Sequence, residues 1–322
     1  MLKDVLLALS ESSLGRRIAT DAPFARSVAR RFVAGETVED ALAAARALNE
    51  GGMHVSLDYL GESVNSAEKA HAAGATIGAV VSAIGREELD ANVSVKLTQL
   101  GQDIDDTFLL EVVNPLLDAA AERDLFIRFD MESAEYTQQT LDFFVERWNE
   151  GRRNVGVVLQ SYLYRTEEDV AKANRLGARV RLCKGAYKEP EEVAYPDKTD
   201  VDANFVRCME ALLTDGNYPG IATHDEAMIQ ATKRFARDHR IDRDRFEFQM
   251  LYGVRRDIQR QLVDEGYHLR IYVPFGEAWY PYFMRRMAER PANLLFVVDS
   301  IVRESPLGFL RGNGSRGRKP TA

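Results

Sequence analysis

Short segments in which apolar and polar residues alternate recur along the chain between residues 54 and 273. An alternation with a period of two is typical of a β-strand that has one apolar face and one polar face. The segments with this pattern or a similar β-rich composition are His54–Tyr59, Asn92–Leu97, Leu125–Asp130, Val155–Gln160, Arg179–Cys183, Gly220–Thr223, Phe246–Met250 and Leu269–Val273.

Longer amphipathic segments of helical length separate these strands. They include Asp105–Arg123, Ser133–Trp148, Glu167–Leu176, Asp202–Leu213, Asp225–His239 and Val254–Gly266. Strands that alternate with helices favour a parallel sheet, and eight such units permit closure into a (β/α)8 barrel. The pattern therefore predicts an α/β protein of that architecture. An antiparallel sheet with one solvated face would alternate similarly, but the long helical connections disfavour it.

The polar faces of the strands are predicted to point into the barrel, because the apolar faces must pack against the helices. These polar faces carry His54, Ser56, Asp58, Ser94, Lys96, Arg128, Asp130, Arg179, Arg181, Glu247, Gln249, Arg270 and Tyr272. An ordinary barrel interior is filled with branched apolar side chains. Buried charges need a partner, water or a ligand, so this interior indicates either internal ion pairs or a functional site.

The regions outside the strands divide the chain into three predicted parts. Residues 1 to about 48 have a helical pattern throughout, with a start signal at Thr37–Glu39 and a stop signal at Gly51 and Gly52. We expect an N-terminal helical arm over residues 1–50 and the barrel over residues 51–302. The tail, residues 303–322, is rich in glycine and arginine and is expected to be disordered.

Composition limits the possible classes of function. The chain has 322 residues and a formal net charge of -8, which disfavours binding to nucleic acid. Its two cysteines, Cys183 and Cys208, lie outside any CxxC motif, so we expect a reducing cytosol and no metal site. No segment approaches the roughly 20 apolar residues of a membrane span. We expect a cytoplasmic protein with at most peripheral contact at the inner face of the membrane.

Five polar residues are predicted near the carboxyl ends of their strands and on the inward face. They are Lys96, Asp130, Gln160, Arg181 and Tyr272. Active sites of (β/α)8 barrels are built at this end. For a residue deeper in the lumen, such as Arg128 or Arg270, simple charge pairing is the better interpretation. Agreement among five strands favours a functional site.

A second polar cluster follows the last strand. Tyr282, Arg285, Arg286 and Glu289 are spaced by three or four residues, so most of them share one helix face. Such pairs are common on helix surfaces without any function. Here the helix begins at the carboxyl end of a barrel strand, so its first turns are expected over the barrel mouth. Two guanidinium groups together with Lys96 would suit bidentate binding of a carboxylate.

These motifs resemble the proline dehydrogenase family, both its stand-alone bacterial members and the corresponding domain of bifunctional proline-utilisation flavoproteins. The matching segments are VSLDYLGE, SVKLTQLG, FDMES, RLCKGAY, ATHD, EFQMLYG, RIYVPFG and YPYFMRRMAERPAN. The resemblance implies a distorted (β/α)8 TIM barrel with N-terminal helices and non-covalent FAD. It also implies oxidation of L-proline to Δ1-pyrroline-5-carboxylate, electron transfer to a membrane quinone, and a pyrroline-5-carboxylate dehydrogenase as a possible partner.

The resemblance also implies roles for individual residues. Asp130 and Arg181 occupy the catalytic positions, with Arg181 near the flavin. The substrate contacts would be Lys96, Arg285 and Arg286 to the carboxylate, Tyr272, Tyr282 and Leu251 around the ring, and Glu289 paired with an arginine. The flavin contacts would be Met131, Gln160, Arg181, Lys184, Gly185, Ala186, Thr223 and His224.

Two other functions are compatible with parts of the pattern. A lysine at a strand end inside a barrel, such as Lys96, could form a Schiff base in a lyase or aldolase. A non-catalytic barrel used for binding or assembly would need no excess of cationic residues at its strand ends. One departure from the bifunctional proteins is the shorter segment between Tyr272 and the two arginines, which is similar to the stand-alone form.

Overall fold

The computed structural model describes the main chain of residues 30–289 and the side chains of residues 30–284. The chain contains two compact units. One comprises residues 34–276, and the other comprises residues 1–33 together with residues 277–322. The first unit contains the whole described sheet.

Eight parallel strands close into a barrel in chain order, because β1 pairs with both β2 and β8. The strands are β1 (His54–Tyr59), β2 (Ala91–Val95), β3 (Ile127–Phe129), β4 (Val155–Gln160), β5 (Arg179–Cys183), β6 (Gly220–Ala222), β7 (Glu247–Leu251) and β8 (His268–Phe275). The predicted (β/α)8 fold class is confirmed. The predicted strand ends differ from these bounds by two residues at most.

Helices follow each strand in the barrel unit, except that the helix after β8 lies in the second unit. The barrel unit contains α1 (Val38–Glu50), α2 (Ala67–Arg86), α3 (Asp106–Ala121), α4 (Ala134–Asn149), α5 (Thr166–Leu176), α6 (Lys198–Asp215), α7 (Glu226–Asp238) and α8 (Arg256–Asp264). The second unit contains α9 (Trp279–Glu289). Within the described residues, no helix is both long enough and apolar enough to cross a bilayer.

The main hydrophobic core lies between the sheet and the helices. The apolar strand residues that alternate with the polar ones are buried there, and examples are Val55, Leu57, Phe129, Phe248 and Ile271. Fully burying each such side chain contributes about 1.5–3 kcal/mol. Most polar residues of the strands are buried as well, and Arg181 of β5 donates across the barrel to Ser56 of β1 and Ser94 of β2. The predicted inward orientation of the polar faces is therefore confirmed.

The first described helix packs against the barrel and begins at the predicted start signal, Thr37–Glu39. Residues 30–37 are turns and bends, so the prediction of helix throughout residues 1–48 is wrong for this segment. A capping box between Thr37 and Asp40 satisfies main-chain donors and starts α1 at Val38. Helix α1 packs against β1 and β8. Its end at Glu50, before Gly51, confirms the predicted stop.

The predicted arm, barrel and tail boundaries at residues 50 and 302 stay predictions. Residues 1–29 and 290–322 lie outside the described residues, and these include the whole predicted tail.

Candidate active site

Lys96 and Asp58 form a buried ion pair across neighbouring strands. The register aligns Asp58 with Ser94, so Lys96, two residues farther on, reaches the same end of the lumen. Lys96 Nζ donates to Asp58 Oδ1 at 2.9 Å, and the two residues are 9% and 1% exposed. Burial opposes the ammonium charge, but the carboxylates of Asp58 and Asp130 outweigh it and raise the pKa of Lys96.

The raised pKa of Lys96 distinguishes between two of the functions that the sequence left open. A Schiff-base lysine must attack as a neutral amine, and such lysines usually have a lowered pKa. Asp58 instead stabilises the protonated form of Lys96. The pairing therefore argues against a lyase or aldolase that uses Lys96, and it leaves a fixed cation in the lumen.

Short hydrogen bonds join Arg181, Asp130 and Tyr272. Arg181 lies in β5, Asp130 directly follows β3, and Tyr272 lies in β8. Arg181 Nη1 donates to Asp130 Oδ1 at 2.7 Å, and Tyr272 Oη donates to Asp130 Oδ2 at 2.7 Å. The Arg181 guanidinium also lies 5.1 Å from the centre of the Tyr272 ring. Both oxygens of Asp130 are thereby used to orient a neighbouring side chain.

The Tyr272 phenol stays protonated in this environment. Its burial and the charge of Asp130 raise the pKa of Tyr272 well above its usual value. A protonated phenol can keep donating its hydrogen bond to Asp130 over a wide pH range. The ring is therefore held in one orientation by the carboxylate.

The remaining donors of Arg181 contact three further strands. Nε donates to Gln249 Oε1, while Nη2 donates to Ser94 Oγ at 3.1 Å and Ser56 Oγ at 3.3 Å. These contacts place the guanidinium across the lumen. We call Lys96, Asp58, Arg181, Asp130 and Tyr272 the lumen network.

The two deeper arginines behave differently from each other. Arg270 Nε donates to Glu247 Oε1 at 2.8 Å, so its predicted pairing is present. Arg128 instead donates to the main-chain oxygens of Val157 and Arg179, at 3.3 and 3.5 Å. Burial first and the nearby Arg181 second lower the pKa of Arg128. Both neutral carbonyl oxygens accept from Nη1 in place of the expected carboxylate, while Nε is buried without a hydrogen-bond partner among the described residues.

The residues expected to contact a flavin lie in β4 and β5 or in the segments that follow β3, β5 and β6. Gln160 is 3% exposed and donates to the main-chain oxygen of Glu132 at 3.2 Å, while its Oε1 is buried without a partner among the described residues. Lys184 Nζ donates to Asp202 and Asp225 at 2.5 and 2.7 Å. Gln160 is thus held by the segment after β3, and Lys184 by carboxylates of α6 and of the N-cap of α7.

The β6 end and the β5 loop complete this group. Leu251 N donates to His224 Nε2 at 2.8 Å, and Asp225 N donates to Thr223 Oγ1 at 3.1 Å. Gly185 has a φ of 114°, and a Cβ there would lie 2.5 Å from the Tyr162 ring. Glycine is therefore required at this turn. Met131 is buried directly after Asp130.

The structure brings only part of the predicted substrate set together. Lys96, Tyr272 and Leu251 belong to the barrel unit, whereas Tyr282 belongs to the other unit and is buried there. The side chains of Arg285, Arg286 and Glu289 lie outside the described ones, although their main chain continues α9. Their convergence with Lys96 stays a prediction.

Four members of the site were not assigned to it from the sequence. Asp58 pairs with Lys96, and Gln249, Ser56 and Ser94 accept from Arg181. The sequence pattern that could have identified them is that all four occupy inward-facing positions in their strands. What the sequence does not contain is the strand register and side-chain reach that decide which inward residues meet.

Comparison with known proteins agrees with this geometry. Residues 41–299 match the family model for proline dehydrogenase. Proline dehydrogenase 2 of Bacillus subtilis strain 168 is 41% identical over 302 residues, which cover 94% of this chain and 99% of that protein. Proline dehydrogenase of Deinococcus radiodurans is 43% identical over 281 residues, covering 86% and 91%.

A solved structure supports the same relationship. The fold is similar to that of proline utilization A (PutA) from Bdellovibrio bacteriovorus inactivated by N-propargylglycine, with a TM-score of 0.77 and 27% identity. The match covers 90% of this chain and 34% of that longer one. With a family model over most of the chain and two relatives above 40% identity, the chain belongs to the proline dehydrogenase family.

Proposed function

We propose that the protein oxidises L-proline to Δ1-pyrroline-5-carboxylate with non-covalently bound FAD, and that the electrons pass to a membrane quinone. The observation that carries this proposal is the buried lumen network at the carboxyl end of the barrel. Family membership supports the same reaction. Proline loses a hydride from C5 and a proton from nitrogen, so that a C=N bond forms.

The charge of the lumen network explains why a carboxylate substrate needs further cations. Its two cations are balanced by its two carboxylates. Another buried carboxylate would lack a counter-charge, which is costly. We therefore assign Arg285 and Arg286 as bidentate partners of the substrate carboxylate, with Lys96 as the third cation. Glu289 would pair with an arginine and help to close the site.

The apolar part of proline needs walls rather than charges. Tyr272 and Leu251 come from adjacent strands, since Leu251 aligns with Tyr272 in the register of β7 and β8. We assign both to the wall of the pyrrolidine ring, together with Tyr282 from α9. Asp130 fixes the Tyr272 ring and the Arg181 guanidinium at the same time, so it sets the shape of this pocket.

The expected residues in β4 and β5 and in the loops after β3, β5 and β6 fit a flavin. The unpartnered Oε1 of Gln160 suits an N–H donor, and Arg181 suits a group that becomes negative on reduction. FAD would be held by Met131, Gln160, Arg181, Lys184, Gly185, Ala186, Thr223 and His224. When bound, FAD supplies the two-electron acceptor for the oxidation.

A quinone acceptor has consequences for location and partners. A lipid-soluble quinone must be reached at a membrane surface, so we infer a cytoplasmic protein with peripheral contact at the inner face. The reactive imine product suits a pyrroline-5-carboxylate dehydrogenase as the next enzyme. Both inferences rest on the proposed reaction.

The product and the acceptor can be measured together. Flavin-loaded protein is incubated with L-proline and a soluble quinone analogue, and the cyclic imine is trapped with ortho-aminobenzaldehyde. We expect one quinone reduced for each imine formed. Absence of imine would contradict proline oxidation, whereas imine formed with oxygen but without quinone reduction would contradict only the proposed acceptor.

Substitution of the assigned arginines tests the carboxylate contact. Each lost charged hydrogen bond is worth about 1.5–3 kcal/mol, so Arg285→Met or Arg286→Met should raise the KM for proline roughly 10-fold to 100-fold. Arg207→Met, which removes an exposed ion pair with Glu167, serves as the control. An unchanged KM in both site variants would show that these arginines do not bind the substrate carboxylate.

A further inference from the structure

Two buried residues of β7 connect Arg181 to the deeper half of the lumen. Glu247 and Gln249 are 1% and 3% exposed, and both point inward. Gln249 Nε2 donates to Glu247 Oε1 at 2.6 Å, and Gln249 Oε1 accepts from Arg181 Nε at 2.5 Å. The Gln249 amide thus lies between a carboxylate and the guanidinium assigned to the flavin.

Glu247 is held as a carboxylate. Burial favours its neutral form, but Arg270 first, and then Arg128 and Arg179, outweigh that effect and lower the pKa of Glu247 to about 2. Arg270 Nε donates to the same Oε1 atom that receives the amide of Gln249. An ionised carboxylate can only accept hydrogen bonds.

This fixed acceptor determines the orientation of the Gln249 amide. A glutamine amide can be turned by half a rotation, which exchanges its oxygen and nitrogen. The oxygen cannot face Glu247 without placing two acceptors together, so the nitrogen faces Glu247 and the oxygen must face Arg181. With the amide reversed, Arg181 Nε would meet a donor and lose its partner.

The neighbouring strand leaves room for this amide. Gly220 of β6 aligns with Glu247, and a Cβ at Gly220 would lie 2.3 Å from Gln249 Nε2. Any larger residue would therefore have to displace the amide. The lack of space beside Gln249 therefore favours glycine at position 220, independently of the hydrogen bonds.

We propose that Glu247 and Gln249 are positioning residues for Arg181, with the carboxylate orienting the amide and the amide holding the guanidinium at Nε. The contact at Nε leaves Nη1 for Asp130 and Nη2 for the two serines. The effect on catalysis rests on the proposed function of Arg181, whereas the effect on the geometry of Arg181 does not.

The first test compares turnover with substrate binding. Gln249→Met removes the acceptor at similar size, and Gly220→Ala keeps every polar group but displaces the amide. A misplacement of about 1 Å can cost on the order of 100-fold in rate, so kcat should fall roughly 10-fold to 100-fold. The KM for proline should change by less than about threefold, because the contacts that bind the substrate and the transition state equally well are kept.

An exchange variant separates positioning from general stability. Glu247→Gln and Gln249→Glu alone each change the buried charge, whereas the double variant restores the total charge, places a carboxylate directly against Arg181 Nε and leaves an amide oxygen as the acceptor for Arg270 Nε. We expect the double variant to recover kcat to within about threefold of the parent. Leu117→Ala, in the outer helix α3, is the control that lowers stability without touching these residues.

A second readout follows Arg181 without using activity. The Nε–H resonance of Arg181 can be identified by NMR from its loss in Arg181→Lys. Slow hydrogen exchange is expected in the parent protein, and faster exchange in Gln249→Met and Gly220→Ala. An unchanged resonance and kcat in both variants would overturn the positioning role. A parent that fails to oxidise proline would overturn only the proposed function, since NMR measures Arg181 directly.

Discussion

Replacing Asp58 by asparagine would remove one charge from the lumen network while keeping its shape. Asp58 Oδ1 accepts from Lys96 Nζ at 2.9 Å, and Asp58 Oδ2 is buried without a partner among the described residues. The asparagine oxygen could still accept from Lys96, but the ammonium would lose its nearest counter-charge. Removing one partner of a buried ion pair typically costs about 3–5 kcal/mol.

The same substitution should change how stability depends on pH. In the parent, the pKa of Lys96 is raised above its ordinary 10.5. The stabilisation of the folded state by the Lys96–Asp58 pair is therefore complete below pH 10.5, and it is lost as the pH rises through the raised pKa. In Asp58→Asn, burial should lower the pKa of Lys96 below that of the unfolded chain. The free-energy cost of burying the protonated, unpaired Lys96 is then complete at low pH. This cost disappears as the pH rises towards 10.5, because the lysine becomes neutral.

Urea unfolding of both proteins at several pH values measures this difference. The free energy of unfolding of Asp58→Asn should lie about 3–5 kcal/mol below that of the parent at neutral pH, and the gap should narrow in alkali. Glu167→Gln, which breaks an exposed pair with Arg207, should cost about 0–1 kcal/mol. If Asp58→Asn also costs only about 0–1 kcal/mol and this difference does not change with pH, the Lys96–Asp58 pair does not stabilise the fold as a buried ion pair.

Three other substitutions test separate parts of the structure. Tyr272→Phe removes the 2.7 Å bond to Asp130, so kcat/KM for proline should fall roughly 10-fold to 100-fold in steady-state assays; an unchanged value would show that this bond does not shape the pocket. Gly185→Ala places a Cβ 2.5 Å from the Tyr162 ring and should lower flavin content per protein, whereas full flavin content would contradict that requirement. Thr37→Ala removes the α1 capping box and should lower the free energy of unfolding by about 0.5–2 kcal/mol without changing kcat, and no loss in urea unfolding would argue against the cap.

The barrel was predictable because its lumen is polar. In an ordinary parallel barrel both strand faces are apolar, and the period of two is weak. Here residues such as Ser56 and Asp58 alternate with Val55 and Leu57, so the strand and the face that points inward are both visible in the sequence. The helical segments between the strands then favour the parallel arrangement.

The contacts within the site were less predictable than its members. Arg181 contacts Asp130 and Ser56, which are 51 and 125 residues away in sequence. Such pairs depend on register and on how far a side chain reaches across the lumen. Arg128 shows this most clearly, because its Nη1 donates to main-chain oxygens, whose positions cannot be predicted from the pattern of side chains.

The error at residues 30–37 has a local physical cause. Helical composition continues through this segment, but the side chains of Thr37 and Asp40 compete for main-chain donors and stop the helix from extending backwards. Gly35, two residues before the cap, adds a positive φ of 155°. The capping signal at Thr37 was therefore the better guide than composition.

In the proposed reaction, the buried lumen network serves a flavin that accepts electrons from proline. Anaerobic titration with L-proline, followed by visible absorption, tests it in the parent and in Lys96→Met. The parent should be yellow and lose its flavin absorption on addition of L-proline, while Lys96→Met should be equally yellow and need at least about tenfold more proline. A parent that purifies without flavin and cannot be reconstituted with FAD, or whose flavin absorption is unchanged at saturating L-proline, would contradict the account.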